Sequence, residues 1–177
     1  MFRRAPDGQW SIISPRIYGW TPLQSSSFAL SDLRFGDFNA DGITDVIALQ
    51  GGHWSVSWGA RSTWQPLNTT LSDSLGSVLI TDIDGNGRDD VLRYVATSTI
   101  SGRWDVSRDG RTGWQPLASQ TWPVGLSPIA PAYSVFGLVG RFDTANSGDL
   151  LSVDYSRHSQ IFSPATGGFT EYSTSAY

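Results

Sequence analysis

The chain has 177 residues and a mass of 19.3 kDa, which fits one domain or a short array of repeated units. Its 39% hydrophobic and 16% charged residues exclude a disordered chain, and no apolar run reaches the ~20 residues of a membrane-spanning helix. A formal net charge of −4 argues against a nucleic-acid partner, and the lack of cysteine excludes disulfides, thiolate metal sites and thiol catalysis.

The acidic side chains are almost all aspartates, because Glu171 is the only glutamate in the sequence. All 12 basic side chains are arginines. Aspartate favours turns and oxygen-rich ion sites, whereas glutamate and lysine favour helix surfaces. Together with 19 glycines and 9 prolines, this composition predicts short strands joined by tight turns and almost no helix.

Two tryptophans spaced ten residues apart form a phrase that occurs three times along the chain. The pairs are Trp10 and Trp20, Trp54 and Trp64, and Trp104 and Trp114. The phrase returns after 44 and then 50 residues, a period typical of a four-stranded propeller blade. We expect these rings to pack between neighbouring blades, with stacking on sugars as the alternative.

An aspartate-rich phrase alternates with the tryptophan phrase, at residues 35–47, 80–92 and, with fewer acids, 139–150. We expect the first strand of each unit to run into the acidic loop and the second to leave it. The third and fourth strands then carry the two tryptophans. Pro66 and Pro116 fall in the fourth strand, which predicts that this strand lies at the edge of its sheet.

These patterns predict an all-β fold, a β-propeller-like array of four-stranded antiparallel blades. Residues 1–177 form a single repeat domain with complete blades at about 29–69, 74–118 and 133–173. Residues 1–24 supply only the last two strands of a further blade, so the chain holds about three and a half blades. We expect self-association or a larger parent chain to close the ring.

The two fuller acidic loops carry oxygen-bearing side chains at positions one, three, five and nine, and the carbonyl at position seven can point inward. The predicted metal ligands are Asp37, Asn39, Asp41, Ile43 and Asp45 in the first loop, and Asp82, Asp84, Asn86, Arg88 and Asp90 in the second. Hard oxygen donors without nitrogen or sulfur favour Ca²⁺. The alternative is an aspartate-rich turn that binds no metal. An EF-hand is excluded, since Ala48 and Arg93 stand at position twelve and a strand signature follows the loop.

The third acidic loop has lost the acids at positions one and five, where Arg141 and Ala145 stand. Asp143 and Asp149 remain as weak candidate ligands. Because two carboxylates make a poor calcium cage, we expect this loop to fold without metal.

The phrase from Phe35 to Val46 resembles the FG-GAP, or VCBS, repeat of integrin-α-type propellers. The resemblance covers nearly the whole chain, and it is specific in the first two acidic loops and weak in the third. It implies a calcium-pinned blade that serves as a recognition scaffold, with the loop residues named above as the ligands. It identifies no partner, because one fold carries many functions.

The sequence contains no nucleophile elbow, zinc-protease motif or phosphate loop, so we expect no enzymatic activity. We expect a calcium-binding module that recognises a protein or a glycan outside the cell or at its surface, although the first residues lack a signal-peptide pattern. Two alternatives stay open: a structural subunit or fragment that completes a larger propeller or toxin-type assembly, and a tryptophan-rich lectin. Trp58 and Trp122 lie outside the repeated tryptophan positions and are the candidate ligand contacts.

Overall fold

The computed structural model describes residues 1–13, 19–98, 101–121, 136–141, 147–153 and 159–173. Regular structure in these ranges consists of short β-strands and single 3₁₀ turns, and the predicted all-β fold of antiparallel blades is confirmed. Within the described ranges, no helix has the length and apolar character needed to cross a bilayer.

The chain divides into two compact units, Met1–Gly76 and Ser77–Tyr177. The first unit contains two antiparallel sheets. The first sheet comprises β1 (Phe2–Arg4), β2 (Gln9–Ile12) and β3 (Thr21–Ser25). The second sheet comprises β4 (Arg34–Gly36), β5 (Asp45–Gln50), β6 (His53–Ser57) and β7 (Gln65–Asn68).

The second unit also contains two antiparallel sheets, each with four strands. The third sheet comprises β8 (Leu79–Thr81), β9 (Asp90–Ala96), β10 (Ser101–Ser107) and β11 (Gln115–Thr121). The fourth sheet comprises β12 (Phe136–Gly140), β13 (Asp149–Val153), β14 (Ser159–Ser163) and β15 (Gly168–Ser173). Single 3₁₀ turns occupy Leu30–Asp32, Trp58–Ala60, Leu75–Ser77 and Arg108–Gly110.

The strands of each sheet follow chain order from one edge to the other. Pro66 lies in β7 and Pro116 in β11, and both strands are at a sheet edge, as their missing N–H groups require. The second strand of the second sheet is fully buried at Val46, Ile47 and Ala48. An uninterrupted apolar run of this kind belongs to a strand that is covered on both faces.

The first sheet has three strands, one more than the two predicted for residues 1–24. The additional strand, β1, pairs with β2 through Arg4 and Trp10. Its Phe2 ring contacts Trp10 and also meets the ring of Phe35 edge-on, with centroids 5.0 Å apart. A three-residue strand with a single apolar side chain is too short to show a period, so only its partners reveal it.

In the first unit, tryptophans fill the space between the two sheets. Trp10 is 0% exposed and packs with Val46 and Ala48 of the second sheet. Its ring meets that of Trp64 at 87° with centroids 5.8 Å apart, and Phe28 lies edge-on to the same Trp64 ring. Edge-to-face aromatic pairs add to the energy of burial, so these contacts tie the two sheets together.

In the second unit, a single apolar cluster joins the third and fourth sheets. It consists of Ile83, Leu92, Trp104, Val106, Leu150 and Phe162. Gly137 on β12 lies against this cluster, since a Cβ added there would come within 2.6 Å of Leu79 and 2.7 Å of Trp104. The glycine therefore allows β12 to approach the tryptophan closely.

The second tryptophan of each phrase is half-buried and has a defined partner. The Arg3 guanidinium lies 4.0 Å from the ring centroid of Trp20, and that of Arg93 lies 4.2 Å from Trp114. These are cation–π contacts within one sheet. Together with the buried first tryptophans, they support packing as the role of the repeated rings.

We expect Trp54→Ala to lower the free energy of unfolding by about 3–5 kcal/mol, because it empties a large buried volume. Trp54 is 0% exposed, and its indole N–H donates to the Asp73 carbonyl at 2.9 Å. The measurement is equilibrium urea unfolding. Leu30→Ala is the control, because Leu30 is 49% exposed and its loss should cost about 1 kcal/mol or less. Equal costs for the two variants would contradict the packing role.

Candidate functional site

The first acidic loop, residues 37–45, connects β4 to β5 and wraps around the carboxylate of Asp37. One Asp37 oxygen accepts the N–H of Ala40 at 2.8 Å, and the other accepts that of Gly42, also at 2.8 Å. Gly42 has a φ of 76°, in the left-handed region that favours glycine. The position-one aspartate therefore organises the turn that the sequence places around it.

The middle of this loop is a chain of side-chain to backbone hydrogen bonds. Asn39 accepts the N–H of Asp41 at 3.0 Å and donates its amide to the Asp41 carboxylate at 3.0 Å. The other Asp41 oxygen accepts the N–H of Ile43 at 2.7 Å. A carboxylate has about four lone-pair sites, so these bonds leave capacity for a cation.

Asp45 closes the first acidic loop from the start of β5, where it is 0% exposed. Its two oxygens accept the N–H groups of Phe38, at 3.0 Å, and of Gly59, at 2.7 Å. Burial raises the pKa of Asp45; the two N–H bonds oppose this shift, and the negative charges of Asp41 and Asp37 add to it. The loop thus holds three carboxylates that repel one another.

The second acidic loop, residues 82–90, repeats this arrangement between β8 and β9. Asp82 accepts the N–H groups of Gly85 at 2.8 Å and of Gly87 at 2.9 Å. Asp84 accepts the N–H of Asn86 at 3.1 Å, and Asn86 accepts that of Arg88 at 2.7 Å. The equivalence of the two loops that the sequence predicts therefore extends to individual hydrogen bonds.

Asp90 occupies the place of Asp45, is 0% exposed, and accepts the N–H groups of Ile83 at 3.2 Å and Asp109 at 2.8 Å. Oxygens of Asp82, Asp84 and Asp90 all lie within 4.8 Å of one another. In the part of the chain that the structure describes, this is the one group of three acidic or histidine side chains that converges so closely. Its all-oxygen donor set suits a hard divalent cation such as Ca²⁺.

Arg108 also reaches the second loop. Its Nη1 donates to Asp84 Oδ2 at 3.2 Å and to Asp90 Oδ2 at 3.4 Å. A second ion pair links Arg88 to Asp109 at 3.2 Å, and the Asn86 amide donates to the same Asp109 at 3.0 Å. The loop is thereby joined to the 3₁₀ turn that follows the third strand.

Burial raises the pKa of Asp90 to about 6, and the neighbouring charge of Asp84 contributes to the increase. The Asp109 N–H bond, the Arg108 guanidinium and the Ile83 N–H bond oppose it. A cation held between these carboxylates would lower the pKa, because it favours the charged form. Protons and cations are therefore expected to compete at this loop.

The third acidic loop lies partly outside the described residues, and Asp143 is among those outside. Asp149 is 0% exposed at the start of β13, in the position of Asp45 and Asp90. The Gly148 N–H donates to the Asp82 carbonyl at 2.6 Å, and a Cβ at Gly148 would collide with Thr81. The last residues of the third loop thus pack against the second.

The structure also shows where most of the other predicted site residues lie. Ile43 and Arg88 engage the loops through their N–H groups, and their carbonyls stay predicted ligands. Trp58 begins a 3₁₀ turn, is half-buried, and donates its indole N–H to Gln65 at 3.0 Å. Trp122 lies outside the described residues.

Residues in the 3₁₀ turn after the third strand also contact the acidic loops, and none of these contacts was predicted from the sequence. Gly59 and Asp109 supply the equivalent N–H groups to the buried carboxylates, and both have positive φ, 57° and 52°. Their spacing of 50 residues, the same as that of Trp54 and Trp104, is the signal that could have identified them. Arg108 can be identified as a residue of the site only from its contacts with Asp84 and Asp90 in the structure.

Residues 37–92 match the model of a family described as an FG-GAP-like repeat. The matched segment contains both fuller acidic loops and the strands between them, so the resemblance stated from the sequence is confirmed there. No curated protein and no solved structure matches the chain.

We expect the protein without divalent cations to become more stable as the pH falls from about 7.5 to about 5.5. The folded-state pKa of Asp90, about 6, lies above the ordinary aspartate value of 3.8, so the folded chain binds this proton more tightly than the unfolded chain does. The stabilisation of the folded state by this proton is present at low pH and is lost as the pH rises through about 6.

The measurement is urea unfolding in chelator across this pH range, for the wild type and for Asp90→Asn. The wild type should gain about 1 kcal/mol more than the variant on acidification, because only it carries the titrating group. The other acidic groups titrate in both proteins, so their contribution to the pH dependence cancels in the difference between the two. Identical pH slopes for the two proteins would contradict the raised pKa.

Proposed function

Because residues 37–92 belong to the FG-GAP-like repeat family and the sheets have the form of propeller blades, we propose that the chain is a calcium-stabilised, non-enzymatic recognition module. The observation that carries this proposal is that each of the two fuller acidic loops holds three carboxylates at predicted ligand positions within the same pattern of backbone hydrogen bonds. In both loops the position-one aspartate accepts the N–H of the position-six glycine, and the buried position-nine aspartate accepts an N–H from the turn after the third strand. Ca²⁺ would supply the positive charge that brings such carboxylates together.

The buried aspartate at position nine explains how an ion in the loop would stabilise a blade. Asp45 connects the first loop, through Phe38, to the turn after β6, through Gly59. Asp90 makes the same connection in the third sheet. An ion that neutralises these side chains strengthens a link between three strands. At extracellular affinities, with Kd of about 10⁻⁴–10⁻³ M, 1 mM calcium adds about 0.4–1.4 kcal/mol per loop.

A recognition role for the module is supported by an apolar cleft beside the first acidic loop. The cleft has a volume of about 480 Å³, and Gly42, Ile43 and Thr44 of the loop line it together with Phe2 and Phe35. The side chain of Ile43 is 49% exposed. Concave, mostly apolar surfaces with a few polar groups are the usual form of binding sites. A protein or glycan outside the cell, where calcium is millimolar, is the proposed partner.

The two alternative functions receive less support. Trp10, Trp54 and Trp104 are at most 2% exposed, so they cannot offer a face to a sugar. The lectin proposal stays open through the half-buried tryptophans, and Trp58 is the one of these that lies outside the repeated positions. The structural-subunit proposal is tested by mass: light scattering should give about 19.3 kDa for an independent module and a multiple of it for a required assembly.

We expect about 5 mM calcium to stabilise the chain by about 1–2 kcal/mol per occupied loop relative to excess chelator. The measurement is thermal unfolding, with magnesium at equal ionic strength as the ion control. Asp41→Asn should remove the contribution of the first loop, because it deletes a charge while keeping an oxygen for the Ile43 N–H group.

Asp7→Asn is the matched control, since Asp7 also accepts a backbone N–H, from Gln9 at 3.0 Å, and lies outside the acidic loops. It should keep the full calcium response. A wild-type melting temperature that is the same in calcium and in chelator would refute the calcium role.

A further inference from the structure

We infer that Arg108 serves as an internal cation in the second acidic loop, so that the first loop is the one that responds to calcium. The inference rests on the proposed calcium role and goes beyond it, because it makes two loops of the same sequence pattern unequal. It follows from one substitution between equivalent blades.

Arg108 and Trp58 occupy equivalent places in the two blades. Each follows the third strand of its sheet and begins a 3₁₀ turn. The next residue in each turn donates its N–H to the buried aspartate, from Gly59 to Asp45 at 2.7 Å and from Asp109 to Asp90 at 2.8 Å. The backbone frame is therefore the same, and two side chains of the turn differ in charge: Arg108 stands in place of Trp58, and Asp109 in place of Gly59.

The guanidinium of Arg108 lies at the carboxylates that a cation would need. Its Nη1 is 3.2 Å from Asp84 and 3.4 Å from Asp90, and both belong to the group of three that converges within 4.8 Å. Asp90 is fully buried, and the Arg108 side chain is 32% exposed. A charge-assisted contact in such a setting is stronger than a pair on the open surface.

The first loop receives no such charge from this position. Trp58 is uncharged, and its indole N–H is directed to Gln65. Three carboxylates converge within 4.8 Å in the second loop, where the arginine contacts two of them; among the described residues the first loop shows no equally close group of three.

The neighbouring residue strengthens the contrast. The position of Gly59 is held in the other blade by Asp109, which keeps a positive φ of 52°. This conformation disfavours a residue with a side chain. Asp109 is ion-paired with Arg88 at 3.2 Å and accepts the Asn86 amide at 3.0 Å. These contacts hold the second loop closed without metal, and calcium would have to displace the Arg108 contacts to enter.

The experiment measures calcium binding to the full chain by titration calorimetry, one loop at a time. Asp41→Asn weakens the first loop and leaves the second to be measured; Asp84→Asn does the reverse. In the Asp41→Asn background, adding Arg108→Gln should tighten calcium binding about tenfold, because the competing charge is gone. In the Asp84→Asn background, the same change should alter the affinity less than about twofold.

Two further variants complete the design. Arg111→Gln makes the same charge change at the residue after the turn, and it should leave calcium binding of the second loop unchanged. Trp58→Arg installs the arginine in the first blade, and it should weaken the first loop about tenfold. In thermal unfolding, Arg108→Gln should lower the melting temperature in chelator and recover it in calcium, which shows that the variant is folded.

An affinity of the second loop that is unchanged or weaker in Arg108→Gln would overturn the inference, while calcium binding by the wild type would leave the proposed function standing. A flat calcium titration of the wild type and of every variant would overturn both.

Discussion

The structure depends on one buried interaction that occurs in two blades. The aspartate at the ninth position of the acidic loop, Asp45 or Asp90, is fully buried and accepts one N–H from its own loop and one from the turn after the third strand. A buried carboxylate is costly unless it is hydrogen-bonded, so the loop and the turn are held together by the need to satisfy it. The residual cost appears as a raised pKa in both aspartates, and a cation bound beside them would reduce that cost.

Burial of aromatic surface supplies the second part of the architecture. Trp10 and Trp104 each lie between two sheets of one unit, through the contact of Trp10 with Trp64 and of Trp104 with the cluster of the second unit. Edge strands carry proline, and Gly137 lets a strand approach the indole of Trp104. The packing and the acidic loops therefore use different residues of the repeat. For this reason one copy of the loop can change its charges without disturbing the core.

The two fuller loops show how equal backbone geometry can carry different electrostatics. Both keep the same N–H bonds to the first and ninth aspartates, which fixes the path of the chain. The charge that balances the carboxylates differs, since an arginine side chain reaches two of them in the second loop and an uncharged tryptophan stands at its place in the first. Copies of a single repeat motif can thus keep one backbone path and carry different charges.

The sequence by itself determined the repeat, the strand order, the edge position of the proline strands and the place of the two acidic loops between strands, because spacing and residue type decide these features locally. It predicted two strands in residues 1–24, where the structure has three, because β1 is recognisable only from its pairing with β2. Tertiary structure alone decided the role of the 3₁₀ turns. Asp84 and Arg108 are far apart in the chain, and their ion pair of 3.2 Å exists only because the fold returns the third strand to the acidic loop. No local pattern encodes such a contact, since its energy depends on where burial brings the two charges together.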